Sequence, residues 1–249
     1  MSTLVSSSNA GKTNSTGPAL STLVSTEPER IRKIFAERQE PGEGAFDAFR
    51  LLAHHERQER LLRFFRDAGF ASLQDLRILD VGCGAGGHLR RLCDFGARPE
   101  DCFGVDLFPR ALHDARQLNP NITFAEANAT QLPFSDGTFD LAFQYTVLTS
   151  VLDENVQRSI VREIWRVLKP GGYCIVYDFA YSNPANANVR GIKRQELARL
   201  FEGFRVQSYS ITLAPPIGRW AAPLSPALYR LLAAIPLLRT HYLCFARKP

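Results

Sequence analysis

The sequence lacks a long apolar run, a paired cysteine pattern and a basic block, and each absence disfavours a class of protein. No uninterrupted apolar segment approaches the ~20 residues that a membrane-spanning helix needs. The five cysteines among 249 residues are odd in number and have no CxxC spacing, which disfavours a zinc site or a disulfide framework. The net charge of +5 is small, and no lysine/arginine block of the nucleic-acid-binding kind is present. We therefore expect a soluble cytoplasmic protein with no metal and no nucleic-acid partner.

The N-terminal quarter of the chain divides into a tail and a helical cap. Residues 1–27 are rich in serine and threonine, a composition that buries too little apolar surface to offset its ordering entropy, so we predict a disordered tail. Residues 28–74 predict a helical cap with helices over about 29–39 and 45–68. The apolar stripe of the second helix is interrupted by the polar stretch HHERQER over 54–60. This stretch is either solvated or faces a substrate cleft.

From residue 75 to residue 249, apolar runs of strand length alternate with segments of helical periodicity. The predicted strands cover 78–81, 102–106, 122–126, 139–145, 173–179, 204–213 and 240–246. The predicted helices between them cover 86–96, 109–118, 154–168 and 193–202, and residues 215–239 form a proline-punctuated helical insert before the last strand. This alternation is typical of an α/β fold whose parallel sheet is covered on both faces.

A glycine-rich loop follows the first predicted strand and opens a helix. Gly82, Gly84 and Gly87 satisfy the spacing G-x-G-x-x-G, which lets a ligand approach the backbone beside a helix N-terminus. Asp106 ends the second strand about twenty residues later, where a carboxylate can accept hydrogen bonds from both ribose hydroxyls. Alternatively, Asp106 is an ordinary loop acid. The loop alone does not separate sites for NAD, FAD and S-adenosylmethionine.

Three segments together resemble the class I S-adenosylmethionine-dependent methyltransferases. They are ILDVGCGAG at 78–86, LPFSDGTFDL at 132–141 and WRVLKPGG at 165–172. Their order and spacing match those of the family, and they cover about residues 75–180. The resemblance implies a Rossmann-like, doubly wound, seven-stranded sheet, mostly parallel with an antiparallel last strand. It also implies S-adenosylmethionine as the cofactor.

The resemblance further implies where the cofactor binds. The implied residues lie at the ends of the first, second and fourth strands and after the third: Asp80, Gly82, Cys83, Gly84, Asp106, Leu107, Asn128, Ala129 and Gln144. Asp80 would lie near the methionine amino group, Asp106 would hold the ribose and Leu107 would pack on the adenine. Asn128 replaces the aspartate common in the family, and its amide oxygen can still accept a hydrogen bond from the adenine amino group.

The catalytic residues are less defined than the cofactor site. Many relatives carry a histidine pair shortly after the fourth strand, where this chain reads VLTSV over 147–151. The identity of a general base, and whether one is used, therefore stay open. Tyr145 and Asp178 end strands four and five, where open α/β sheets bind ligands, and are the candidate catalytic residues. Each has a structural alternative, as a packed aromatic ring or a buried structural acid.

The sequence thus predicts an enzyme that methylates an oxygen or nitrogen of a small polar acceptor, such as a sugar or secondary metabolite. A non-catalytic cofactor-binding partner protein is one alternative. An NAD-dependent oxidoreductase is another, disfavoured by the second and third matching segments.

The C-terminal part of the chain carries positive charge only. No acid follows Glu202, and six cations do: Arg205, Arg219, Arg230, Arg239, Arg247 and Lys248. The predicted insert helix over about 226–235 is amphipathic. It packs over the sheet or another subunit, or instead contacts a membrane surface or an anionic or lipid-linked acceptor.

Overall fold

The computed structural model describes residues 20–37 and 47–249, with only the backbone of 20–26, 36 and 37. At its centre lies a seven-stranded sheet with the order β3-β2-β1-β4-β5-β7-β6. The strands are β1 (Ile78–Val81), β2 (Cys102–Asp106), β3 (Thr123–Glu126), β4 (Phe139–Tyr145), β5 (Leu168–Phe179), β6 (Arg205–Leu213) and β7 (Arg239–Arg247).

Strands β1 to β5 pair in parallel, and β7 lies antiparallel between β5 and β6. This arrangement confirms the predicted Rossmann-like sheet with an antiparallel last strand. Because β1, β2 and β4 are neighbours and parallel, their carboxyl ends meet at one edge of the sheet. Open α/β sheets bind ligands at that edge.

Helices cover both faces of the sheet and extend beyond it. They are α1 (Leu20–Glu37), α2 (Ala48–Asp67), α3 (Gly87–Asp94), α4 (Pro109–Leu118), α5 (Glu154–Val167), α6 (Arg194–Leu200), α7 (Pro215–Leu224) and α8 (Pro226–Ala233). Side-chain caps fix three helix starts: the carboxylates of Asp47 and Asp153 and the hydroxyl of Ser225 accept hydrogen bonds from backbone N–H groups of the first turn. Short 3-10 turns lie at Pro99–Asp101, Leu148–Ser150 and Pro236–Leu238.

Alternating side chains of the strands build a core on each face. Leu79 and Val81 of β1 pack on the face covered by α5 and α6, whereas Ile78 packs on the face covered by α2 and α3. All four residues of β1 are buried, as expected for a central parallel strand. A third, smaller core joins α2 to α7 and α8 through Phe49, Tyr229 and their neighbours.

Two boundaries differ from the sequence-based expectation. Helix α1 begins at Leu20, inside the predicted tail of residues 1–27, so that prediction is corrected for residues 20–27; residues 1–19 lie outside the described residues. The physical reason for the correction is tertiary: the buried Glu27 carboxylate accepts a hydrogen bond from Leu152 N and so ties the helix to the domain. Strand β5 begins at Leu168 rather than 173, since Leu168 pairs with Phe139 before an irregular register.

Candidate active site

An open cleft of about 1040 Å³ lies at the carboxyl edge of β1, β2 and β4. Six members of the predicted cofactor-binding set line it: Gly82, Gly84, Asp106, Leu107, Asn128 and Ala129. Of the two candidate catalytic residues, Tyr145 contributes to the lining and Asp178 does not. The structure therefore brings most of the predicted set to one concave surface.

The glycine loop runs through left-handed backbone between β1 and α3. Gly82 has φ 75°, and a Cβ there would lie 2.5 Å from Val147 Cγ2. Gly84 has φ 51°, but nothing lies within 4 Å of its ideal Cβ position. Gly82 therefore serves the close packing of the loop on the segment after β4, whereas Gly84 leaves open space beside the cleft.

Asp106 holds the loop in place with the same carboxylate that the family resemblance assigns to the ribose. Its Oδ2 accepts a hydrogen bond from Gly84 N at 2.8 Å, and its Oδ1 accepts one from Phe108 N at 3.1 Å. Burial raises the pKa of Asp106, and these backbone donors oppose the shift. The carboxylate is thus fixed at the cleft wall with lone pairs left to accept further hydrogen bonds.

Asn128 also lies in the cleft wall, after β3. Its side-chain oxygen accepts a hydrogen bond from Thr130 N at 3.0 Å, which forms a local turn. Leu107 and Phe108 also line the cleft and offer an apolar surface. A flat aromatic base fits between such apolar side chains with a polar group at its edge.

Asp80, Cys83 and Gln144 lie behind the lining rather than in it. Asp80 is buried, with Oδ2 3.7 Å from His88 Nδ1. The Cys83 thiol packs against the backbone of β2, and burial raises its pKa above its usual range. Gln144 is fully buried; its Oε1 accepts a hydrogen bond from Leu148 N at 3.3 Å, while its Nε2 has no partner among the described residues. These side chains support the cleft from beneath.

The hydroxyl group of Tyr145 is enclosed on the α2 and α3 face of the sheet. The Tyr145 ring lies 4.3 Å from the His88 ring, measured between centroids, and 5.3 Å from the Arg57 guanidinium carbon. The hydroxyl is buried without a hydrogen-bond partner among the described residues, and burial raises its pKa. In this conformation Tyr145 presents no accessible oxygen to an acceptor in the cleft.

Asp178 is a fully buried acid beneath the turn Leu148–Ser150. Its carboxylate accepts hydrogen bonds from the Thr149 hydroxyl, from Thr149 N at 3.3 Å and from Phe179 N at 3.2 Å. Burial raises the pKa of Asp178 to about 7, although these donors favour the charged form. Asp178 therefore positions the turn that follows β4 and does not reach the cleft directly.

Helix α1, which includes part of the helix predicted over 29–39, forms a strap across the cleft, a location that the sequence did not indicate. Pro28, Ile31 and Phe35 of α1 line the cleft, and the Phe35 ring lies 4.9 Å from the Phe108 ring. The spacing of Ile31 and Phe35 (i, i+4) is the one sequence signal that predicts a shared apolar face.

Three polar ties hold this strap on the domain. Glu27 Oε1 accepts a hydrogen bond from Leu152 N at 2.6 Å, and Arg30 donates to Ser150 O at 2.6 Å. At the other side of the cleft, Arg32 pairs with Glu126 at the end of β3, 2.9 Å apart. The strap thus bridges the two sides of the cleft.

Thr146 is a second lining residue that the sequence did not reveal. It has φ 58°, an uncommon conformation for a β-branched residue, directly after β4. Its N–H donates to Tyr177 O at 2.8 Å, and its carbonyl accepts from the Ser150 hydroxyl at 2.9 Å. These bonds hold the strained backbone, and strained residues of this kind cluster at ligand sites.

The polar stretch of α2 is split between solvent and the interior. His55 and Glu59 are exposed. Arg57, in contrast, places its guanidinium 4.4 Å over the Tyr177 ring and 2.7 Å from His54 Nδ1. Burial, followed by the charge of Arg57, lowers the pKa of His54 to about 3. The inward half therefore lies beneath the ends of β4 and β5, and none of residues 54–60 is among those that line the cleft.

Residues 79–176 match a protein-family model described as "Methyltransferase domain". A sterol 4-C-methyltransferase of Caenorhabditis elegans is 34% identical over 116 residues, which are 44% of this chain and 33% of that protein. The chloroplastic tocopherol O-methyltransferase of Arabidopsis thaliana is 34% identical over 142 residues, which are 52% of this chain and 39% of that protein. The chain therefore spans less than half the length of these two relatives.

A solved structure supports the same fold. The S-adenosylmethionine-dependent methyltransferase of Mesorhizobium loti is 21% identical and superposes with a TM-score of 0.55 over 75% of this chain and 96% of that chain. At this identity the likeness establishes the fold alone.

Proposed function

We propose that this chain, whose residues 79–176 match the methyltransferase family model, is a class I S-adenosylmethionine-dependent methyltransferase that transfers the cofactor's methyl group to a small-molecule acceptor. The observation that carries the proposal is the cleft at the carboxyl edge of the sheet, where the glycine loop and the Asp106 carboxylate face one space.

The residues present fit the cofactor. The open space at Gly84 admits a ligand close to the backbone, and Asp106 supplies a carboxylate for the two ribose hydroxyls. Leu107 and Asn128 supply an apolar surface and an amide for the adenine. The cleft volume of about 1040 Å³ lies at the upper end of the range for ligand sites, ~300–1,000 Å³, so the cleft has room for an acceptor beside the cofactor.

The sulfonium of the cofactor supplies a methyl carbon that is already activated for in-line displacement. The chain must align an acceptor atom with that carbon and exclude water. Ile31 and Phe35 of the α1 strap cover the cleft with apolar surface, which helps to exclude water from the reacting atoms. Thr146 and Ser150 offer hydroxyl and backbone groups beside the end of β4, and these groups can align the acceptor atom with the methyl carbon.

No histidine is among the residues that line the cleft in the described part of the chain. His241 is buried against the Tyr177 ring, and burial lowers its pKa to about 3. We therefore propose that positioning and desolvation, rather than a general base, carry most of the rate enhancement. This arrangement suits an acceptor whose nucleophile needs little help to lose its proton.

We further propose that the acceptor atom is an oxygen or nitrogen of a small molecule such as a secondary metabolite, with an anionic or lipid-linked part. A sugar is the less favoured acceptor, because its alcohol proton has a high pKa and would need a base. Apolar lining from Ile31, Phe35 and Val151 supports a partly apolar acceptor. The six cations after Glu202 are not among the lining residues; the cation that supports an anionic group is Arg110, which lines the cleft. A reducing compartment, the cytoplasm, is supported by five unpaired cysteines.

Calorimetry with S-adenosylhomocysteine and with NAD tests the cofactor, and methyl transfer from labelled S-adenosylmethionine to an acceptor panel tests the reaction. We expect S-adenosylhomocysteine to bind and NAD not to bind. Asp106→Ala should weaken binding by about 100-fold, because two hydrogen bonds to a charged group contribute about 3 kcal/mol. Glu100→Ala, at the opposite end of β2, is the matched control and should bind as the parent does.

NAD binding without S-adenosylhomocysteine binding would overturn the proposal. Tight S-adenosylhomocysteine binding without turnover on any acceptor would favour the non-catalytic partner protein instead.

A further inference from the structure

The insert between β6 and β7 exposes an apolar surface that the methyl-transfer site does not use. Five large side chains form it, and we name them the insert face: Trp220, Leu224, Leu231, Ile235 and Leu237. Their exposed fractions are 60%, 63%, 68%, 44% and 93%. Isolated exposed apolar residues are ordinary, but five on one short insert are not.

The helical spacing places these side chains away from the core. Trp220 and Leu224 lie four residues apart on α7, and Leu231 and Ile235 lie four residues apart on and just after α8. The opposite sides of both helices are buried against α2 through Ala222, Tyr229 and neighbouring residues. The insert is therefore anchored by one side and presents the other.

The charges on the insert have one sign. Arg219 and Arg230 are the only charged residues between 215 and 238, and both are exposed. A second copy of the chain would bring the same two cations against each other across a symmetric interface, with no acid on the insert to compensate. Anionic lipid headgroups complement the pattern, and an exposed tryptophan with leucines is typical of an element at the membrane–water boundary.

The insert lies at the same edge of the sheet as the cleft. Because β6 runs parallel to β5, its final residue Leu213 lies at the carboxyl edge, and α7 begins two residues later. Among the described residues, no helix is long and apolar enough to cross a bilayer. The helices of the insert are thus too short to cross a bilayer but can lie on its surface. A surface bound by the insert would lie near the same edge of the sheet as the cleft.

We propose that the insert face binds an anionic membrane surface, with Trp220 and the leucines at the boundary of headgroups and acyl chains. Arg219 and Arg230 lie at the lipid phosphates. This partner goes beyond the methyl-transfer reaction, because it concerns a surface separate from the cofactor cleft.

Sedimentation of the full chain with phosphatidylcholine vesicles, with and without phosphatidylglycerol, tests the proposal. We expect recovery with the anionic vesicles, weakened by salt. The double substitution Leu231→Asp with Leu237→Asp should reduce vesicle binding by about tenfold or more, because two apolar side chains no longer leave water. Leu118→Asp, on the exposed side of α4, is the control and should leave binding unchanged, since Leu118 is 60% exposed outside the insert.

Tryptophan fluorescence provides a second readout that a misfolded variant would not imitate. The chain has two tryptophans, and Trp165 packs edge-on against the Phe204 ring at 4.6 Å. In a Trp165→Phe background, the emission of Trp220 should shift to shorter wavelength on anionic vesicles.

Three results would overturn the inference: equal recovery with and without vesicles, vesicle binding that the double substitution leaves intact, or self-association abolished by the double substitution without any vesicle binding. The last result would assign the insert face to a second copy. S-adenosylhomocysteine affinity measured on the same samples separates these outcomes from a failure of the cofactor site.

Discussion

Gly82 and Gly84 share left-handed backbone but differ in what surrounds them, and substitution should separate packing from cofactor binding. Gly82→Ala places a methyl group 2.5 Å from Val147 Cγ2, so we expect a loss of about 2 kcal/mol or more in the free energy of unfolding. Gly84→Ala meets no atom within 4 Å and should cost only the backbone strain, about 1 kcal/mol, while it weakens cofactor binding.

Urea unfolding and calorimetry with S-adenosylhomocysteine measure the two effects. Adding Val147→Ala to Gly82→Ala should restore part of the lost stability, since it removes the contacting methyl group. Equal losses of stability at both glycines would contradict this interpretation.

The buried carboxyl of Asp178 should make stability depend on pH in a definite direction. The pKa of Asp178 is raised to about 7 from 3.8, so between about pH 4 and pH 7 the folded chain binds its proton more tightly than the unfolded chain does. The free energy of unfolding contributed by this group therefore falls as pH rises through that window. Asp178→Asn keeps an acceptor for Thr149 and removes the ionisation, so its Tm should fall less between about pH 5 and pH 8.

Thermal unfolding of the parent, Asp178→Asn and Asp67→Asn at both pH values checks this expectation. Asp67 is exposed and serves as the control. Parallel Tm profiles for all three proteins would show that Asp178 does not titrate in this range.

The motif predicted most of the positions that line the cleft, but not the direction of every side chain. Gln144 and Tyr145 are neighbours on β4, and strand geometry sends them to opposite faces of the sheet. Gln144 lies beneath the cleft, and the Tyr145 hydroxyl lies on the α2 side. The burial of Asp178 likewise depends on the turn packed above it. Such orientations result from packing between segments far apart in the sequence, which a local pattern does not encode.

At the scale of elements, the α1 strap should control how long the cofactor stays bound. Glu27→Ala removes the acceptor for Leu152 N and the partner of Arg30. We expect faster dissociation of S-adenosylhomocysteine, because Ile31 and Phe35 would cover the cleft for less of the time. The Tm of the ligand-free protein should change little, because Ile31 is the one residue among the described side chains of α1 (27–35) that belongs to either main core of the sheet.

Stopped-flow binding and hydrogen exchange of residues 27–35 measure the rate and the opening of the strap. Lys33→Ala, an exposed position on the same helix, is the control. Unchanged dissociation in Glu27→Ala would show that the strap does not limit release.

The strands and most helices could be predicted because their periodicity is strong and their ends carry local signals. Asp153 and Ser225 are examples. Aspartate and serine are favoured N-cap residues, and each stands directly before the first residue of its helix. A helix over about 29–39 was predicted, but its place across the cleft was not. That place depends on Glu27 reaching Leu152, a contact across 125 residues that leaves no pattern near either end.

At the scale of the whole molecule, cofactor binding should raise thermal stability. A ligand present at about 100 times its Kd adds about 2.7 kcal/mol to the folded state. For a chain of 249 residues this corresponds to a rise in Tm of about 5–10 °C. S-adenosylhomocysteine should give this rise, NAD should give none, and differential scanning fluorimetry distinguishes them. A rise with NAD alone would contradict the cofactor assignment.

The position of β7 between β5 and β6 has a consequence for how the chain is made on the ribosome. Strand β6 leaves the exit tunnel before β7, its neighbour in the described sheet, exists, because β7 is separated from it by the whole insert and is synthesised later. During translation the unpaired edges of β5 and β6 are exposed, and such edges pair readily with other nascent chains. The sheet closes only when β7 slides between them. A polysome crowded with these chains is therefore where a chaperone would matter most for this protein.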